Sequence, residues 1–422
     1  MILGVFKLTT QQIPSRGIVG KALRFGPKLI TNPREAKIRL AQKLGYEPWH
    51  EITPHTLNET PVKSGLPLVH IGAFTNTNGG DTLLCPVLRD LFGTSLGDIQ
   101  WRGLHVHTML TSNWVQRINR SRGVVVGGGG LFLRDTFPNP RSGWQWNCSI
   151  ENLEQIKVPL SIFAVGYNRF RNQPDFDPIF REHLLATVEK AAFFGLRNSG
   201  SIRAIRGMLP EHLHDKVRFQ PCMTTIMNRV YPKLFEIPEE NPPFIALNCA
   251  FDRSKLRYGD QMPQILSDLA DAMLKVSKHI PIKYYAHSPD DYFFLPYLDI
   301  RGIPYERVQL FGVGPREVLE AYGKPAISIG MRGHAQMIPF GWGRPIISLI
   351  SHDKLGWFLE DINARDWGVD VSNPGFTDHL TDLTFSILNN IEAVKARVLH
   401  AQDQLWKVTD ENLGIIRRAV VH

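Results

Sequence analysis

The stretch ISIGMRGHAQMIPFGWGRPIISLI, residues 327–350, decides the fold class. Two apolar runs flank a short segment in which Arg332 and His334 stand two residues apart. Neither apolar run alternates with polar residues, which is typical of parallel strands that are covered on both faces. The stretch therefore predicts a buried strand, a short helix and a second buried strand.

Apolar runs of this kind recur along the chain from residue 66 onwards. In the first half, the runs that predict strands are 66–74, 123–130, 158–166, 190–198 and 216–222. In the second half they are FIALNCAF, PIKYYAHS and ERVQLFG, at 244–251, 281–288 and 306–312. Helical stretches such as 81–92 and 261–279 separate them. This alternation predicts an α/β protein with two Rossmann-like domains that face a central cleft.

A Pro- and Glu-rich segment divides the two arrays and sets the expected domain boundaries. We expect a basic N-terminal extension, a first Rossmann-like domain, a linker, a second Rossmann-like domain and a C-terminal helix that packs back on the first domain. These parts are predicted at 1–65, 66–230, 231–243, 244–390 and 391–422.

The composition is that of an ordinary globular protein. Of the 422 residues, 43% are hydrophobic and 21% are charged, which is the usual range for soluble domains. No uncharged apolar run approaches the ~20 residues that a membrane-spanning helix needs, and the N-terminus lacks the pattern of a signal peptide. The four cysteines form no CxxC pair, which argues against a disulfide framework or a zinc site. We therefore expect a cytoplasmic protein without a bound metal.

The net charge of +8 is partly local. Within the first forty residues, eight lysines and arginines stand against Glu35 as the one acidic residue. Such an arm suits peripheral contact with anionic lipid at the inner face of the membrane, and a solvated arm is the alternative. The chain contains no nucleic-acid-binding motif, so we expect no nucleic-acid partner.

In sheets of parallel strands, ligands bind beyond the carboxyl ends of the strands. The first predicted strand is followed by NTNGGDT, residues 76–82, in which Asp81 is a predicted helix N-cap. We predict a ligand loop at Asn78, Gly79 and Asp81, whose backbone N–H groups would hold a polar ligand. A capped turn without a ligand is the alternative, because the segment is neither a Walker A loop nor a GxGxxG fingerprint.

Four consecutive glycines, Gly127–Gly130, follow the run of three valines. Ordering glycine costs more backbone entropy than ordering alanine, so some neighbour must need the bare backbone. Close packing or the close approach of a ligand would explain the run, and we favour a ligand at Gly128, Gly129 and Gly130.

Two arginines and one histidine stand at predicted strand ends. Arg197 ends the run FFGL, and Ser199 or Ser201 is expected to cap the helix that follows. Arg332 ends the run ISIG, and a guanidinium beside a helix N-terminus favours an anion. His334 can exchange a proton near neutral pH and is a candidate acid or base. The alternatives are a surface ion pair and a merely hydrogen-bonded histidine, and we expect most tryptophans to pack in the core.

Taken together, NGGD, GGGGLF, GLRNSGS and SIGMRGHAQMIPFGWGRPIISLISHDK resemble the polysaccharide pyruvyl transferase family, over roughly residues 66–390. The resemblance implies a fold similar to GT-B glycosyltransferases and transfer of the enolpyruvyl carbons of phosphoenolpyruvate onto two hydroxyls of one sugar. The products would be a cyclic pyruvate ketal and phosphate. Phosphoenolpyruvate would be a co-substrate, with no other cofactor, and the acceptor would be a glycan or a lipid-linked sugar.

The resemblance also implies roles for individual residues. Arg197 and Arg332 match the arginines that bind phosphoenolpyruvate, and His334 matches the essential histidine, whose role as acid or base stays open. Lys354 stands where the family has a lysine after its Asp-x motif. The chain departs from the family in its N-terminal 65 residues and at Gly333, where many members carry a larger residue.

Two other functions fit the same pattern of residues. An inverting GT-B glycosyltransferase that uses a nucleotide sugar would share the two domains and the anion site, but we find no clear carboxylate for the ribose. A non-catalytic glycan-binding protein can also be built on this fold, because a fold does not determine a function.

Overall fold

The computed structural model describes residues 49, 57, 65–137, 139–233 and 240–421. The extension predicted for 1–65 lies outside the described residues, apart from positions 49, 57 and 65, and so do residues 234–239 of the predicted linker. The described helices include none that is both long and apolar enough to cross a membrane.

The first domain is built on a parallel sheet whose strands lie in the order β2-β1-β3-β4-β5-β6. The strands are β1 Leu68–Gly72, β2 Trp101–His105, β3 Gly123–Phe132, β4 Leu160–Tyr167, β5 Phe193–Leu196 and β6 Val217–Phe219. The helices are α1 Gly79–Leu96, α2 Ser112–Ile118, α3 Ile150–Glu154, α4 Pro178–Lys190, α5 Ser199–Arg206 and α6 Met227–Val230, with 3-10 turns at Glu211–Lys216 and Met223–Thr225.

A second parallel sheet has the order β12-β11-β10-β7-β8-β9. Its strands are β7 Ile245–Asn248, β8 Ile282–Ala286, β9 Tyr305–Gln309, β10 Ile327–Gly330, β11 Ile346–Ile350 and β12 Gly368–Asp370. The helices are α7 Ser254–Tyr258, α8 Met262–Ser277, α9 Leu295–Ile300, α10 Pro315–Tyr322, α11 His334–Gly341, α12 Asp353–Asp361, α13 Phe376–Asn389 and α14 Ile391–Val421. The 3-10 turns lie at Gly259–Gln261, Pro289–Phe294 and Arg365–Trp367.

The strands in the middle of each sheet are buried along their length, which explains their continuous apolar sequences. Every residue of β4 and β10 is buried, and these strands pair in parallel with neighbours on both sides. Helices cover such a sheet on both faces, so neither face selects for polar residues. The prediction of an α/β protein with two Rossmann-like domains facing a cleft is thereby confirmed.

The C-terminal helix α14 contacts both domains. The amide of Asn412 donates to the carbonyl of Phe219 at 2.8 Å in the first domain. The fully buried amide of Gln402 donates to the carbonyls of Phe340, at 2.8 Å, and Thr225, at 3.3 Å, which belong to different domains. The Gln402 side chain thus links α14 to one segment of each domain.

We expect Gln402→Leu to lower the free energy of unfolding by about 2 kcal/mol, because buried carbonyls lose their donor and a buried leucine cannot replace it. Denaturant unfolding followed by circular dichroism measures this change. The matched control is Gln404→Leu on the exposed face of the same helix, which should change stability by less than about 0.5 kcal/mol. Equal effects of the two substitutions would show that the Gln402 hydrogen bonds contribute nothing.

Candidate functional site

The loop after β1 closes directly onto the second domain. The backbone N–H of Gly79 donates to the carbonyl of His287 at 3.1 Å, and the N–H of Gly312 donates to the carbonyl of Asn76 at 2.7 Å. A Cβ atom at Gly80 would lie 2.3 Å from the ring of His334, which real Cβ atoms do not tolerate. The two glycines of this turn are therefore required by contact between the domains.

The helix cap at this turn differs from the prediction. Asn78, not Asp81, is the N-cap of α1, and its side chain accepts from the N–H of Gly80 at 2.9 Å. Asn78 has the extended backbone that an N-cap needs, whereas Asp81 already lies in the first helical turn. The carboxyl of Asp81 is consequently available to the cleft.

Asp81 lies in the electric field of three cations, Arg197, Arg332 and Lys354. Burial has the larger effect, however, and raises the pKa of the Asp81 carboxyl above its usual value. A carboxyl in this environment keeps its proton to a higher pH than a free aspartate does.

The glycine run belongs to strand β3, which continues to Phe132, two residues beyond the predicted run 123–130. Gly128 and Gly129 adopt φ values of 76° and 101°, and the pairing with β4 shifts register beyond Gly129. A Cβ atom at Gly127 would lie 2.1 Å from the carbonyl of Phe163 in the adjacent strand. Contact with the adjacent strand explains why residue 127 is a glycine. The predicted ligand at Gly128, Gly129 and Gly130 stays a prediction.

Gly130 has a further role, because it makes room for the side chains that surround Arg197. A Cβ atom at Gly130 would overlap the amide of Asn168, and one at Gly166 would lie 2.1 Å from Nε of Arg197. The side-chain oxygen Oδ1 of Asn168 accepts from Nη2 of Arg197 at 2.9 Å. Glycines on β3 and β4 thus shape the compartment that holds this arginine.

Arg197 is a buried cation with little compensation. It is 7% exposed, its Nε is buried without a hydrogen-bond partner, and it forms no ion pair within the described residues. Burial lowers the pKa of Arg197, although its guanidinium remains charged at neutral pH. Burying an unpaired charge is costly, so the arrangement favours an anionic ligand.

The cap beside Arg197 also differs from the prediction. Asn198, and neither Ser199 nor Ser201, is the N-cap of α5, and its side chain accepts from the N–H of Ser201 at 2.7 Å. The N–H of Ser199 instead donates to the Asp361 carboxylate of the second domain at 3.0 Å. The N-terminus of helix α5 therefore binds the side chain of Asp361, which comes from the second domain.

The Asp361 carboxyl has its pKa raised to about 7, chiefly by burial. Between about pH 4 and pH 7 the folded protein holds a proton here that the unfolded chain releases, so this group makes stability fall as pH rises through that window. We expect the unfolding temperature of Asp361→Asn, measured relative to that of the unsubstituted protein, to increase from pH 5 to pH 8. Thermal unfolding at a series of pH values measures this difference.

The neighbouring Glu360 provides the control, because its partner Arg203 lowers the pKa of that carboxyl. Glu360→Gln should therefore show no such gain with rising pH. A relative loss of stability of Asp361→Asn at pH 8 would mean that the folded protein prefers the ionised carboxyl.

Arg332, at the end of β10, is held by two carboxylates. Its Nη2 lies 2.6 Å and its Nε 2.9 Å from the oxygens of Asp291, and its Nη1 lies 3.0 Å from Asp252. These carboxylates raise the pKa of Arg332. Arg332 is therefore fixed in position and its charge is balanced, in contrast to Arg197.

His334 is the first residue of α11, and its Nε2 lies 3.9 Å from the thiol sulfur of Cys222 in the first domain. Removal from water, and then the charges of Arg197 and Lys354, lower the pKa of His334 to about 3. The imidazole is therefore neutral at physiological pH and able to accept a proton.

Lys354 is the second residue of α12, and its Nζ lies 5.9 Å from the ring centre of Phe170 in the first domain. Burial, followed by the charges of Arg197 and Arg257, lowers the pKa of Lys354 well below its usual value. Lys354 forms no ion pair within the part of the chain that the structure describes. Lys354 and Arg197, one from each domain, thus lie close enough for the charge of Arg197 to disfavour protonation of Lys354.

Gly333 does not constrict the site. Its backbone is helical, with φ −52° and ψ −46°, and a Cβ atom there would have no neighbour within 4 Å. A larger residue would therefore fit, so this departure from the family pattern leaves the pocket unchanged.

The structure brings Asp81, Arg197, Arg332, His334 and Lys354 into electrostatic contact. Sequence reasoning missed the residues that hold this group in place: Phe170, Cys222, Asp252, Arg257, Asp291. Only Asp252 carried a usable signal, because it follows the predicted strand FIALNCAF. Among the described residues, no three His, Cys, Asp or Glu side chains are arranged to hold a metal ion.

Comparison with known protein families gives one match, to a family described as polysaccharide pyruvyl transferase, over residues 95–353. The matched range includes Arg197, Arg332 and His334 and ends just before Lys354. The turn at Asn78–Asp81 lies outside it. A comparison with individually curated proteins gave no match.

Solved structures to which this chain is similar include proteins in complex with UDP or UDP-GlcNAc. MnaA of S. aureus with UDP is 9% identical, with a TM-score of 0.48, covering 79% of this chain and 91% of that one. UDP-GlcNAc 2-epimerase of Neisseria meningitidis bound to UDP-GlcNAc is 12% identical, with a TM-score of 0.48 and coverages of 81% and 99%. HepE of Anabaena with UDP and glucose is 8% identical, with a TM-score of 0.48 and coverages of 82% and 98%.

Proposed function

Because the chain belongs to the polysaccharide pyruvyl transferase family, and is therefore a transferase, we propose that it uses phosphoenolpyruvate as donor. It transfers the three pyruvate carbons to two hydroxyls of one sugar in a polysaccharide or its lipid-linked precursor. The products are a cyclic pyruvate ketal and inorganic phosphate.

The observation that carries this proposal is the pair of buried basic side chains Arg197 and Lys354, neither of which has an ion-pair partner among the described residues. The two side chains come from different domains, and each of them lowers the pKa of His334. Phosphoenolpyruvate carries a phosphate and a carboxylate, and a guanidinium recognises either group through paired hydrogen bonds. Binding of the donor would offset the electrostatic cost of burying these cations.

The pKa shifts suggest opposite roles for Asp81 and His334. Pairs of groups whose environments push their pKa values apart commonly serve as acid and base. The raised pKa of Asp81 suits the group that protonates C3 of the donor, which makes C2 electrophilic. The lowered pKa of His334 suits the group that accepts the proton of the attacking hydroxyl.

These roles give a balanced sequence of proton transfers. Asp81 gives its proton to C3, and His334 takes the proton of the first hydroxyl as its oxygen bonds to C2. His334 then returns that proton to phosphate as the bond between C2 and the bridging oxygen breaks. The second hydroxyl closes the ring at C2, and its proton restores Asp81. Arg197 and Lys354 stabilise the charge of the departing phosphate.

The proposal is tested by incubating the protein with phosphoenolpyruvate and a panel of glycosides. Mass spectrometry should detect a carboxyethylidene group on at least one glycoside, and phosphate should appear in equal amount. Nucleotide release from UDP-sugars, without phosphate release from phosphoenolpyruvate, would instead identify a glycosyltransferase. Glycan binding without turnover of any donor would identify a non-catalytic protein.

The acid and base roles also predict a pH profile for kcat/KM, which reports the free enzyme. Because the pKa of His334 is lowered to about 3, activity should stay level between pH 7 and pH 5. An unshifted histidine base would make it fall with a midpoint near 6.5. Activity should decline as the pH rises through the raised pKa of Asp81, and Asp81→Asn should abolish that decline together with most of the turnover.

A further inference from the structure

An exposed aromatic pair lies beyond the carboxyl ends of β2 and β3. The ring of Phe137 stacks on the ring of His107, with centroids 3.9 Å apart and planes only 5° from parallel. Phe137 is 52% exposed. One face of its ring is therefore supported by the imidazole, and much of the remaining ring is in contact with solvent.

This pair lies at the edge of the cleft. Asp135, two residues before Phe137, binds Arg253 of the second domain through both carboxylate oxygens, at 2.6 and 2.7 Å. Asp252, the residue before Arg253, is the carboxylate that holds Arg332. Since two residues span at most about 7 Å, Phe137 lies close to the contact that joins the domains beside Arg332.

The chemistry of the pair suits a neutral ligand that has both an apolar face and polar edges. Burial lowers the pKa of His107 to about 4, so the supporting ring is uncharged. Its Nε2 is buried and has no hydrogen-bond partner within the described residues. The two charged residues that precede Phe137 in the chain, Arg134 and Asp135, are paired with Asp177 and Arg253, so they offer no free charge to an anion.

The exposed residue Phe137 also has an unfavourable backbone conformation. Its φ is 52°, a left-handed conformation that bulky residues rarely adopt. An exposed aromatic ring that is held at such a cost is a reason to look for a function.

We propose that Phe137 and His107 form a stacking platform for a saccharide unit of the acceptor. The hydrogen-bearing face of a pyranose lies on the exposed ring of Phe137, as aromatic surfaces with a polar edge accommodate amphipathic ligands. The inference rests on the proposed function, because it assigns the acceptor side of the same cleft. Donor binding, by Arg197 and Lys354, is independent of this platform.

The test measures steady-state kinetics of Phe137→Ala with phosphoenolpyruvate and methyl glycosides, which lack an aromatic aglycone. The KM for the best methyl glycoside should rise about tenfold, equivalent to about 1.4 kcal/mol of binding free energy. The KM for phosphoenolpyruvate should stay unchanged, and Phe137→Tyr should restore the acceptor KM. The matched control is Phe385→Ala, which removes the phenylalanine of another histidine pair, formed with His279.

A second measurement separates this inference from the proposed function. Saturation-transfer NMR of the same methyl glycosides should give signals with the unsubstituted protein and with Phe385→Ala, and none with Phe137→Ala. That result supports the platform even if no glycoside is pyruvylated, in which case the proposed function alone fails. Equal acceptor KM values or equal transfer signals for Phe137→Ala and Phe385→Ala, or no signal from the unsubstituted protein, would overturn the platform.

Discussion

Replacing Arg197 with methionine is expected to remove most of the activity and, at the same time, to raise the unfolding temperature. Loss of one buried group that stabilises charge in a transition state lowers turnover by about 10²–10³-fold. Arg197 is buried without an ion pair among the described residues. Its removal therefore relieves an electrostatic cost in the protein without ligand, and methionine fills a similar volume. Phosphate release and thermal unfolding measure the two effects.

Two further variants make the result for Arg197 specific. Arg197→Lys keeps the charge but loses the planar fork, so it should recover only part of the activity. Arg203→Ala removes an exposed arginine from the neighbouring helix α5, where it pairs with Glu360, and should leave activity unchanged. A large loss of stability in Arg197→Met, with activity retained, would show that Arg197 is structural.

Replacing His334 with alanine is expected to lower kcat by about 10²–10⁴-fold, the usual contribution of a positioned base. The KM for phosphoenolpyruvate should change little, because the donor anion is held by Arg197 and Lys354. Added imidazole should restore part of the turnover by entering the space that the side chain leaves. Turnover is measured as phosphate released per enzyme at saturating substrate.

The control for His334 is His279→Ala, which removes a histidine that contacts Phe385 and not the cleft. It should have the activity of the unsubstituted protein. If His334→Ala kept most of its turnover, the proposed base would be wrong.

The sequence predicted every central strand and the edge strands β6 and β9, and it missed the two other edge strands. Strands such as β4 are buried on both faces, so an uninterrupted apolar run identifies them. The edge strand β2 was missed because its sequence, WRGLH, includes partly exposed residues. The edge strand β12 has only the residues Gly368–Asp370 and was missed for its length. Edge strands of this kind leave little pattern in the sequence.

The candidate site could be predicted in part, because strand ends are visible in the sequence while side-chain partners are not. Arg197, Arg332 and His334 follow recognisable strands. The helix caps were placed wrongly because Asn, Ser and Asp stand close together in both turns, and only the backbone conformation selects Asn78 and Asn198. The pairing of Arg332 with Asp291 joins residues 41 positions apart, which no local pattern reveals.

The aromatic residues show the same limit. Most tryptophans were expected in the core, and Trp144, Trp146 and Trp342 are indeed buried. The exposed ring at the cleft is Phe137, which no sequence pattern distinguishes from the other phenylalanines.

The contacts of α14 with both domains have a consequence for how the cleft opens. The chain passes from the first domain to the second after α6 and before β7, and α14 connects the two domains again near Gln402. Two bodies that are tethered at two points retain one free rotation, about the line through both tethers. A single angle then describes the whole range from open to closed, and one pair of spin labels, with one label on each domain, would be sufficient to record it.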